Sequence, residues 1–253
     1  MKSVFNNEQD LTEVSQQTNI RKIFIQDKLS ELGVSMSQVC LGDFDYIGEY
    51  TARKGRSKTS SNYHNSGAFF RPNYERGILI YYLIKKYELE SFLEIGYGRG
   101  YSSFCAAMAF SELGRGTVTT VDPNLDENQI RGLAQYFPRE WFEKIQFFKS
   151  YSDSFFLDNN EKYDMIYIDG DHRYDAVKRD WENSKNRYNN FVLFDDYEFT
   201  DKKVQDIEVA GVVNAIRDYE KELIIMDRRI FPDDRNVLDE EMDYGQVLVY
   251  KQG

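Results

Sequence analysis

The chain has 253 residues, of which 41% are hydrophobic, and its formal net charge is −11. This size predicts one large α/β domain or a domain with an extension. The acidic balance argues against broad nucleic-acid binding, which needs a basic surface. Polar residues follow Met1-Lys2, no run of 18 apolar residues occurs, and Cys40 and Cys105 make no disulfide framework. We therefore expect a cytoplasmic protein without a signal peptide or a membrane partner.

Residues 1–69 are predicted to form an N-terminal extension that governs substrate choice. Residues 1–19 are polar and predict a loose segment or a weak helix. Apolar residues then recur at helical spacing between Asn19 and Leu32, and Gly33 is expected to end that helix. Residues 42–67 show little periodicity and predict a loop. A loop of this length in a compact domain is typical of a functional lid or of disorder.

The predicted loop carries a cationic cluster in an otherwise acidic protein, made of Arg53, Lys54, Arg56 and Lys58. Two interpretations stay open: a solvated mobile loop, or a lid that holds an anionic substrate. His64 has the same two interpretations. It is either a loop histidine without a task or, together with Tyr63, part of a lid over the substrate.

Residues 70–253 are predicted to form the main domain. A helix is expected up to about Tyr87, after which strands near 91–95, 117–121, 145–148, 163–169 and 190–195 alternate with helices near 101–113, 127–136, 152–157 and 173–187. That order predicts a parallel sheet with helices on both faces. A helix over 204–222, a strand near 223–226 and a last strand over 245–251, antiparallel to its neighbour, complete the prediction.

The stretch SFLEIGYGRG, residues 91–100, is the strongest functional signal. An apolar strand stops in a glycine-rich turn, and a helix follows, which is typical of a nucleotide-cofactor cradle. Glycine lets the backbone turn sharply and approach a ligand without a Cβ in the way. The dinucleotide fingerprint is G-x-G-x-x-G. Here the glycines follow each other at every second position, and an acid precedes the first of them by two residues.

The pattern Glu94-x-Gly96-x-Gly98-x-Gly100 resembles motif I of the class I S-adenosylmethionine (SAM) methyltransferases. This resemblance implies a Rossmann-like α/β fold with a mostly parallel seven-stranded sheet, helices on both faces and an antiparallel C-terminal strand. Asp122 ends the next strand and is placed to bind both ribose hydroxyls of SAM. NAD is bound through the same pairing of carboxylate and diol, so Asp122 alone does not distinguish the two cofactors.

A second group of polar residues follows two later strands. Asp169 ends the strand that begins at Tyr163, and Asp195-Asp196 end the next one. In open α/β sheets the ligand crevice lies outside these strand ends. Three carboxylates there repel one another unless a cation lies between them, and oxygen ligands favour Mg²⁺, Ca²⁺ or Mn²⁺. His172 has an ordinary pKa near neutrality and is a candidate general base. The alternative is that these acids only cap helices and turns.

Residues 168–197 resemble the metal-dependent O-methyltransferase families that include the macrocin and mycinamicin sugar methyltransferases and the cephalosporin-hydroxylase-like proteins. The similarity extends over about residues 70–200. It implies that Asp169, Asp195 and Asp196 bind Mg²⁺ and that His172 acts as the base. Some relatives have Glu or Asn within the acidic pair, which leaves the identity of the metal open.

These observations predict a SAM-dependent, divalent-metal-assisted O-methyltransferase that acts on a hydroxyl of a small molecule such as a sugar, a nucleotide-sugar or another diol. A phosphate-bearing substrate would suit the cationic loop, and a homo-oligomer is compatible with the sequence. Asp171 is the candidate partner of the SAM ammonium group, and Ser150 and Ser152 are the candidates near the adenine. The expected cofactor-binding residues are Glu94, Gly96, Gly98, Gly100, Tyr101, Asp122, Ser150 and Asp171. For Tyr101, packing of the helix is the equal alternative.

Three other functions compete with this one. An NAD-dependent oxidoreductase is disfavoured by the missing G-x-G-x-x-G and by the position of Glu94. A methyltransferase-fold protein with different chemistry, or with a non-catalytic binding role, stays open. A nucleic-acid substrate is disfavoured by the acidic charge and by the absence of an N/D-P-P-Y/F motif.

Overall fold

A computed structural model describes residues 19–54, 74–198, 207–225 and 244–251. Within these ranges eight strands form one sheet in the order β1-β7-β8-β6-β5-β2-β3-β4. The strands are β1 (Arg21–Phe24), β2 (Ser91–Ile95), β3 (Thr117–Val121), β4 (Ile145–Phe148), β5 (Tyr163–Ile168), β6 (Tyr188–Glu198), β7 (Lys221–Ile225) and β8 (Tyr244–Tyr250). All neighbouring strands are parallel except β8, which is antiparallel to both β6 and β7. The predicted fold class is confirmed.

Helices cover both faces of this sheet in the described ranges. They are α1 (Ile25–Glu31), α2 (Leu41–Lys54), α3 (Tyr74–Tyr87), α4 (Tyr101–Leu113), α5 (Glu127–Leu133), α6 (Arg139–Phe142), α7 (Ser152–Asp158), α8 (Tyr174–Ser184) and α9 (Val209–Ala215). A short 3₁₀ helix, Met36–Gln38, joins α1 to α2. No helix in these ranges is long and apolar enough to span a bilayer.

Alternate residues of the central strands enter two separate cores. Phe92 of β2 packs with the face that carries α1 to α6, whereas Leu93 packs with the face that carries α7 to α9. Ile166 and Val192 repeat the second orientation in β5 and β6. This two-residue period, with both faces buried, is what a central parallel strand requires. Because β6, β5, β2 and β3 are parallel neighbours in this order, their carboxyl ends meet at one edge of the sheet.

The N-terminal part of the chain differs from the prediction. Residues 21–24 form strand β1 instead of the beginning of a helix, and the helix starts only at Ile25. β1 pairs in parallel with β7, with Ile23 opposite Ile224. Pairing with a distant strand overrides the local helical spacing, and it gives the sheet an eighth strand beyond the seven predicted.

A buried ion pair fixes this segment to the sheet. The ammonium of Lys28 in α1 lies on the carboxylate of Glu222 in β7, and both side chains are almost fully buried. The hydroxyl of Tyr250 in β8 also contacts this carboxylate, and Arg21 Nη1 lies 2.9 Å from its other oxygen. Residues of α1, β1, β7 and β8 thus share one network. The predicted boundary between an extension and a domain near residue 69 stays a prediction, because residues 55–73 are outside the described ranges.

The predicted loop over 42–67 is wrong for its first part, where helix α2 spans Leu41–Lys54. Phe44 and Ile47 of this helix are buried one turn apart. Phe44 and Ile47 are the only fully buried apolar side chains described in this helix, which also holds two glycines, so the sequence shows little periodicity. The side chains of Arg53 and Lys54, and all of Arg56, Lys58, Tyr63 and His64, lie outside what the structure describes.

The helix predicted over 204–222 is also shorter than expected. Of its described residues, only Val209–Ala215 form α9. The buried Lys221 explains the early end, since its Nζ donates to the carbonyl oxygens of Val213 and Ile216 at 3.1 and 2.8 Å. These bonds cap the helix terminus, and strand β7 begins at Lys221 itself.

Candidate active site

The glycine turn between β2 and α4 is built on three left-handed backbone conformations, with φ of +96° at Gly96, +52° at Gly98 and +86° at Gly100. A Cβ at Gly96 would overlap the backbone carbonyl of Asp169 and lie 2.7 Å from the Cα of Gly170. This glycine therefore lets the turn pack directly on the residues that follow β5. A Cβ at Gly98 would meet no atom of the described residues within 4 Å beyond its chain neighbours, so a ligand can approach the backbone there.

Glu94 lies beneath the turn and is fully buried. Its carboxylate accepts hydrogen bonds from the hydroxyls of Ser102 and Ser103 in α4, and from Thr120 of β3 at 3.0 Å. Burial raises the pKa of Glu94 to about 7, although the serine hydroxyls oppose this shift. Glu94 thus joins β2, β3 and the first turn of α4. In this arrangement it holds the turn in place, and the predicted direct contact with a cofactor stays a prediction.

The raised pKa of Glu94 predicts a specific dependence of stability on pH. Between its ordinary pKa of 4.5 and its folded value of about 7, the native state binds more protons than the unfolded state. Its contribution to the unfolding free energy therefore falls as the pH rises through this window, by about 3 kcal/mol at 1.4 kcal/mol per unit. Glu94→Gln should remove this term, so its unfolding free energy should gain about 3 kcal/mol relative to the wild type between pH 4.5 and 8. Urea unfolding of both proteins across this range tests it, and a pH-independent difference would contradict it.

Asp122 stands at the end of β3, next to the turn. One carboxylate oxygen accepts hydrogen bonds from the backbone N–H groups of Tyr97 and Gly98 at 3.0 and 3.2 Å. The other oxygen accepts a hydrogen bond from the backbone N–H of Asn124 at 2.7 Å. The carboxylate is half-buried and lies beside the open side of Gly98. The sequence predicted Asp122 at this position relative to the turn. Its contact with a ribose stays a prediction.

Two carboxylates and an imidazole converge at the ends of β5 and β6. His172 Nε2 lies 3.5 Å from Asp169 Oδ1 and 3.3 Å from Asp196 Oδ2. One ligand atom from each of the three lies within 4.8 Å of the others. The two strands are parallel neighbours with Ile168 opposite Phe194, so their ends deliver these side chains to one place. The side chain of His172 is 30% exposed and is accessible from the crevice.

A β-bulge divides the acidic pair between two environments. The pairing of β6 with β8 changes register between Phe194 and Tyr197, and Asp196 has φ +50°. Such a conformation is rare for a residue with a side chain and is concentrated at functional sites. Asp196 turns toward His172. Asp195 is buried and accepts a hydrogen bond from Gln246 Nε2 at 3.0 Å.

Electrostatics link the members of this cluster. Burial, together with the charge of Asp169, raises the pKa of Asp196, while Arg76 and His172 oppose the shift. Burial alone would lower the pKa of His172, but Asp169 and Asp196 outweigh it and raise the pKa above its ordinary 6.5. The imidazole therefore lies in a negative environment that stabilises its protonated form.

Arg76 of α3 is the site residue that sequence reasoning missed. Its Nη1 lies 3.0 Å from Asp169 Oδ2, and its Nη2 forms an ion pair with Asp195 Oδ2. Its guanidinium carbon lies 5.7 Å from the centroid of the Tyr167 ring. In the sequence Arg76 is just one polar residue at the start of an apolar helix. The available signal was the surplus of three acids at the strand ends, which requires a cation from elsewhere in the chain.

Three predicted cofactor residues have other partners. Asp171 pairs with Arg173, with Nε–Oδ1 at 2.9 Å, and this bond lowers the pKa of Asp171 to about 2. Ser150 donates to the carbonyl of Tyr151 at 3.0 Å. Tyr101 is buried in the core against α3, where a Cβ at Gly77 would lie 2.5 Å from its hydroxyl oxygen. The packing alternative thus describes Tyr101, and cofactor contacts of Ser150 and Asp171 stay predictions.

Residues 93–197 match a family model described as a methyltransferase domain. Residues 93–197 are thus similar to a methyltransferase domain. The matched segment runs from β2 to the acidic bulge of β6, and it contains the glycine turn, Asp122 and the cluster around His172. The prediction of a methyltransferase is confirmed by this match, whereas membership in the macrocin-type group stays a prediction. No curated protein sequence matches the chain significantly.

Solved structures share the fold of the matched segment and of the chain around it. The O-methyltransferase TomG from Streptomyces achromogenes, solved with SAM, is similar with a TM-score of 0.58 at 15% identity, over 81% of this chain and 90% of TomG. An O-methyltransferase from Bacillus cereus, solved with S-adenosylhomocysteine (SAH), is similar with a TM-score of 0.55 at 15% identity, over 94% of this chain and all (100%) of that one. At this identity the likeness supports the class I methyltransferase fold alone.

Proposed function

We propose that this protein transfers the methyl group of SAM to a hydroxyl of a small molecule, with His172 as the general base. The observation that carries the proposal is the position of His172. It lies between Asp169 and Asp196, at the edge of the sheet where the glycine turn packs on the residue after β5. The similarity to O-methyltransferases solved with SAM or SAH supports the choice of cofactor.

The cofactor would lie along the glycine turn and the end of β3. Gly96 and Gly100 shape the turn, Gly98 offers its open backbone, and Asp122 supplies a carboxylate for the ribose diol. Asp171 would bind the ammonium group of SAM if its salt bridge with Arg173 opens, which is a small cost for so exposed a pair. SAM supplies the methyl group, so that its sulfonium becomes the thioether of SAH as the substrate oxygen gains a carbon.

His172 would hold and move the proton in this reaction. In its neutral form the imidazole donates Nε2–H toward Asp169 and Asp196, and Nδ1 is the nitrogen that accepts the hydroxyl proton. These carboxylates orient the ring and stabilise the imidazolium that results. The residues that bind the two reactants also align them, and alignment supplies much of the rate in a two-reactant transfer.

A divalent cation, Mg²⁺ or Mn²⁺, is the second part of the proposal. In the described residues three carboxylates meet only Arg76 and His172 as positive partners, and this surplus of negative charge fits a cation. Asp169 and Asp196 would hold it. Asp195, also predicted as a ligand, contacts Arg76 and Gln246 instead. When bound, the ion supplies a Lewis acid that lowers the pKa of a coordinated hydroxyl.

The substrate is proposed to carry two adjacent hydroxyls, as a sugar, a nucleotide-sugar or a catechol does. Two neighbouring oxygens suit a cation beside a general base. A cytoplasmic location belongs to the same proposal and is supported by the two free cysteines, Cys40 and Cys105.

Transfer of a labelled methyl group tests the proposed function. The full-length protein would be incubated with methyl-tritiated SAM and a panel of catechols, sugars and nucleotide-sugars, with Mg²⁺, with Mn²⁺ and with EDTA. We expect label on a diol oxygen and loss of transfer in EDTA. Transfer only to amines would contradict O-methylation, and transfer unaffected by EDTA would contradict the role of the cation.

A further inference from the structure

Arg76 links two carboxylates that the sequence places on different strands. One nitrogen of its guanidinium contacts Asp169 after β5, and the other contacts Asp195 at the end of β6. The side chain is 17% exposed and lies over the Tyr167 ring. A planar guanidinium with several fixed donors is suited to bridge two acids in this way, whereas a lysine ammonium acts as a single point charge.

These contacts give the carboxylate oxygens of the cluster different partners. Asp169 turns Oδ2 to Arg76 and Oδ1 to His172. Asp195 is enclosed by Arg76 and by the amide of Gln246, and it is 4% exposed. Asp196 contacts His172, and no ion pair joins it to Arg76 in the described residues. The oxygens left for a ligand are therefore those of Asp169 and Asp196 that face His172.

We propose that Arg76 is a positioning residue that sets the cation affinity of this site. It holds Asp195 and one oxygen of Asp169 away from the cation, and it supplies a competing positive charge. The site then binds a divalent ion weakly enough to exchange it. This inference rests on the cation in the proposed function and goes beyond it, because it assigns Asp195 to Arg76 rather than to the metal.

Removal of the guanidinium should strengthen cation binding, which is opposite to the effect of losing a merely structural contact. Removing one unit charge a few ångströms from the ion increases the net attraction and frees Asp195. We expect Arg76→Gln and Arg76→Met to tighten Mn²⁺ binding by about tenfold or more, or about 1.4 kcal/mol. Arg76→Lys keeps the charge but cannot bridge both acids, so it should tighten Mn²⁺ binding less than the two neutral variants do.

The experiment is a calorimetric titration of the full-length wild type and variants with Mn²⁺, followed by a titration of each with SAH. The double variant Arg76→Met/Asp195→Asn restores the net charge of the cluster and should return the Mn²⁺ affinity to near the wild-type value. The matched control is Arg115→Met. Arg115 also bridges two acids, Glu88 and Glu90, but these lie just before the first residue of β2, at the sheet edge opposite to the site. It should leave Mn²⁺ affinity unchanged.

Unchanged or weaker Mn²⁺ binding by both neutral variants would overturn the inference, as would a double variant that binds as tightly as Arg76→Met. Absence of Mn²⁺ binding in every protein would overturn it too. The proposed methyltransferase function would survive any of these results if SAH still binds. Absence of SAH binding by the wild type would instead refute the proposed function. Arg76→Gln keeps a donor for Asp195, so the test does not depend on the folding of the methionine variant.

Discussion

Replacing His172 by alanine is expected to lower kcat by a factor of about 10² to 10⁴, the usual contribution of a general base. The proton of the substrate hydroxyl would then have no acceptor beside Asp169 and Asp196. The side chain is 30% exposed and lies at the end of a strand, so its removal should leave the fold intact. SAH affinity should stay within about threefold, because the ion pairs of the His172 side chain in the described residues are with Asp169 and Asp196 and not with the glycine turn. Steady-state kinetics on the diol identified with labelled SAM, together with SAH calorimetry, measure both quantities.

A matched substitution separates loss of the base from loss of a polar side chain of this size. His172→Gln keeps a polar side chain of similar size between the two carboxylates but cannot accept the proton at neutral pH. It should be as inactive as His172→Ala. Full turnover by either variant would contradict the assignment of His172 as the base. A loss of SAH affinity as large as the loss of kcat would point to a structural role instead.

Replacing Gly96 by alanine is expected to have the largest effect on folding and on cofactor binding. The added Cβ would overlap the backbone carbonyl of Asp169, and φ at Gly96 is +96°. Neither a rotamer change nor a side-chain shift can relieve an overlap with backbone. We expect a loss of about 3 kcal/mol or more in the free energy of unfolding, and a large loss of SAH affinity in any protein that folds.

Gly132→Ala is the control, since Gly132 lies within helix α5 and a Cβ there would meet no described atom within 4 Å. Alanine is the better helix former, so this variant should be as stable as the wild type or more stable by up to about 1 kcal/mol. Urea unfolding and SAH calorimetry on both variants provide the comparison. A Gly96→Ala protein with wild-type stability and affinity would show that the turn does not pack as described.

The central part of the fold could be predicted from the sequence because the signals for these strands and helices are local. The residues of β2, β3, β5 and the middle of β6 are mostly buried runs followed by glycine or acid, and helices lie between these strands. The two-sided burial of Phe92 and Leu93 is the physical reason for such continuous runs. The same strand ends deliver Asp122, Asp169, Asp196 and His172, so the main polar residues of the site were predictable as well.

The remaining features depend on contacts between distant parts of the chain. Residues 21–24 form a strand because β7 pairs with them, and the Lys28–Glu222 ion pair is visible only after folding. The different orientations of Asp195 and Asp196 follow from a bulge in which Asp196 takes φ +50°. Arg76 approaches the cluster from a helix that precedes β2. No spacing rule in the sequence connects these residues.

Calorimetric titration of the full-length protein with SAH, repeated with NAD, tests the central claim most directly. Both ligands offer a ribose diol to Asp122, but the glycine turn with Glu94 beneath it is proposed to accept only the sulfur compound. We expect binding of SAH, no binding of NAD, and loss of SAH affinity in Asp122→Ala. Binding of NAD instead of SAH, or of neither ligand, would contradict the account.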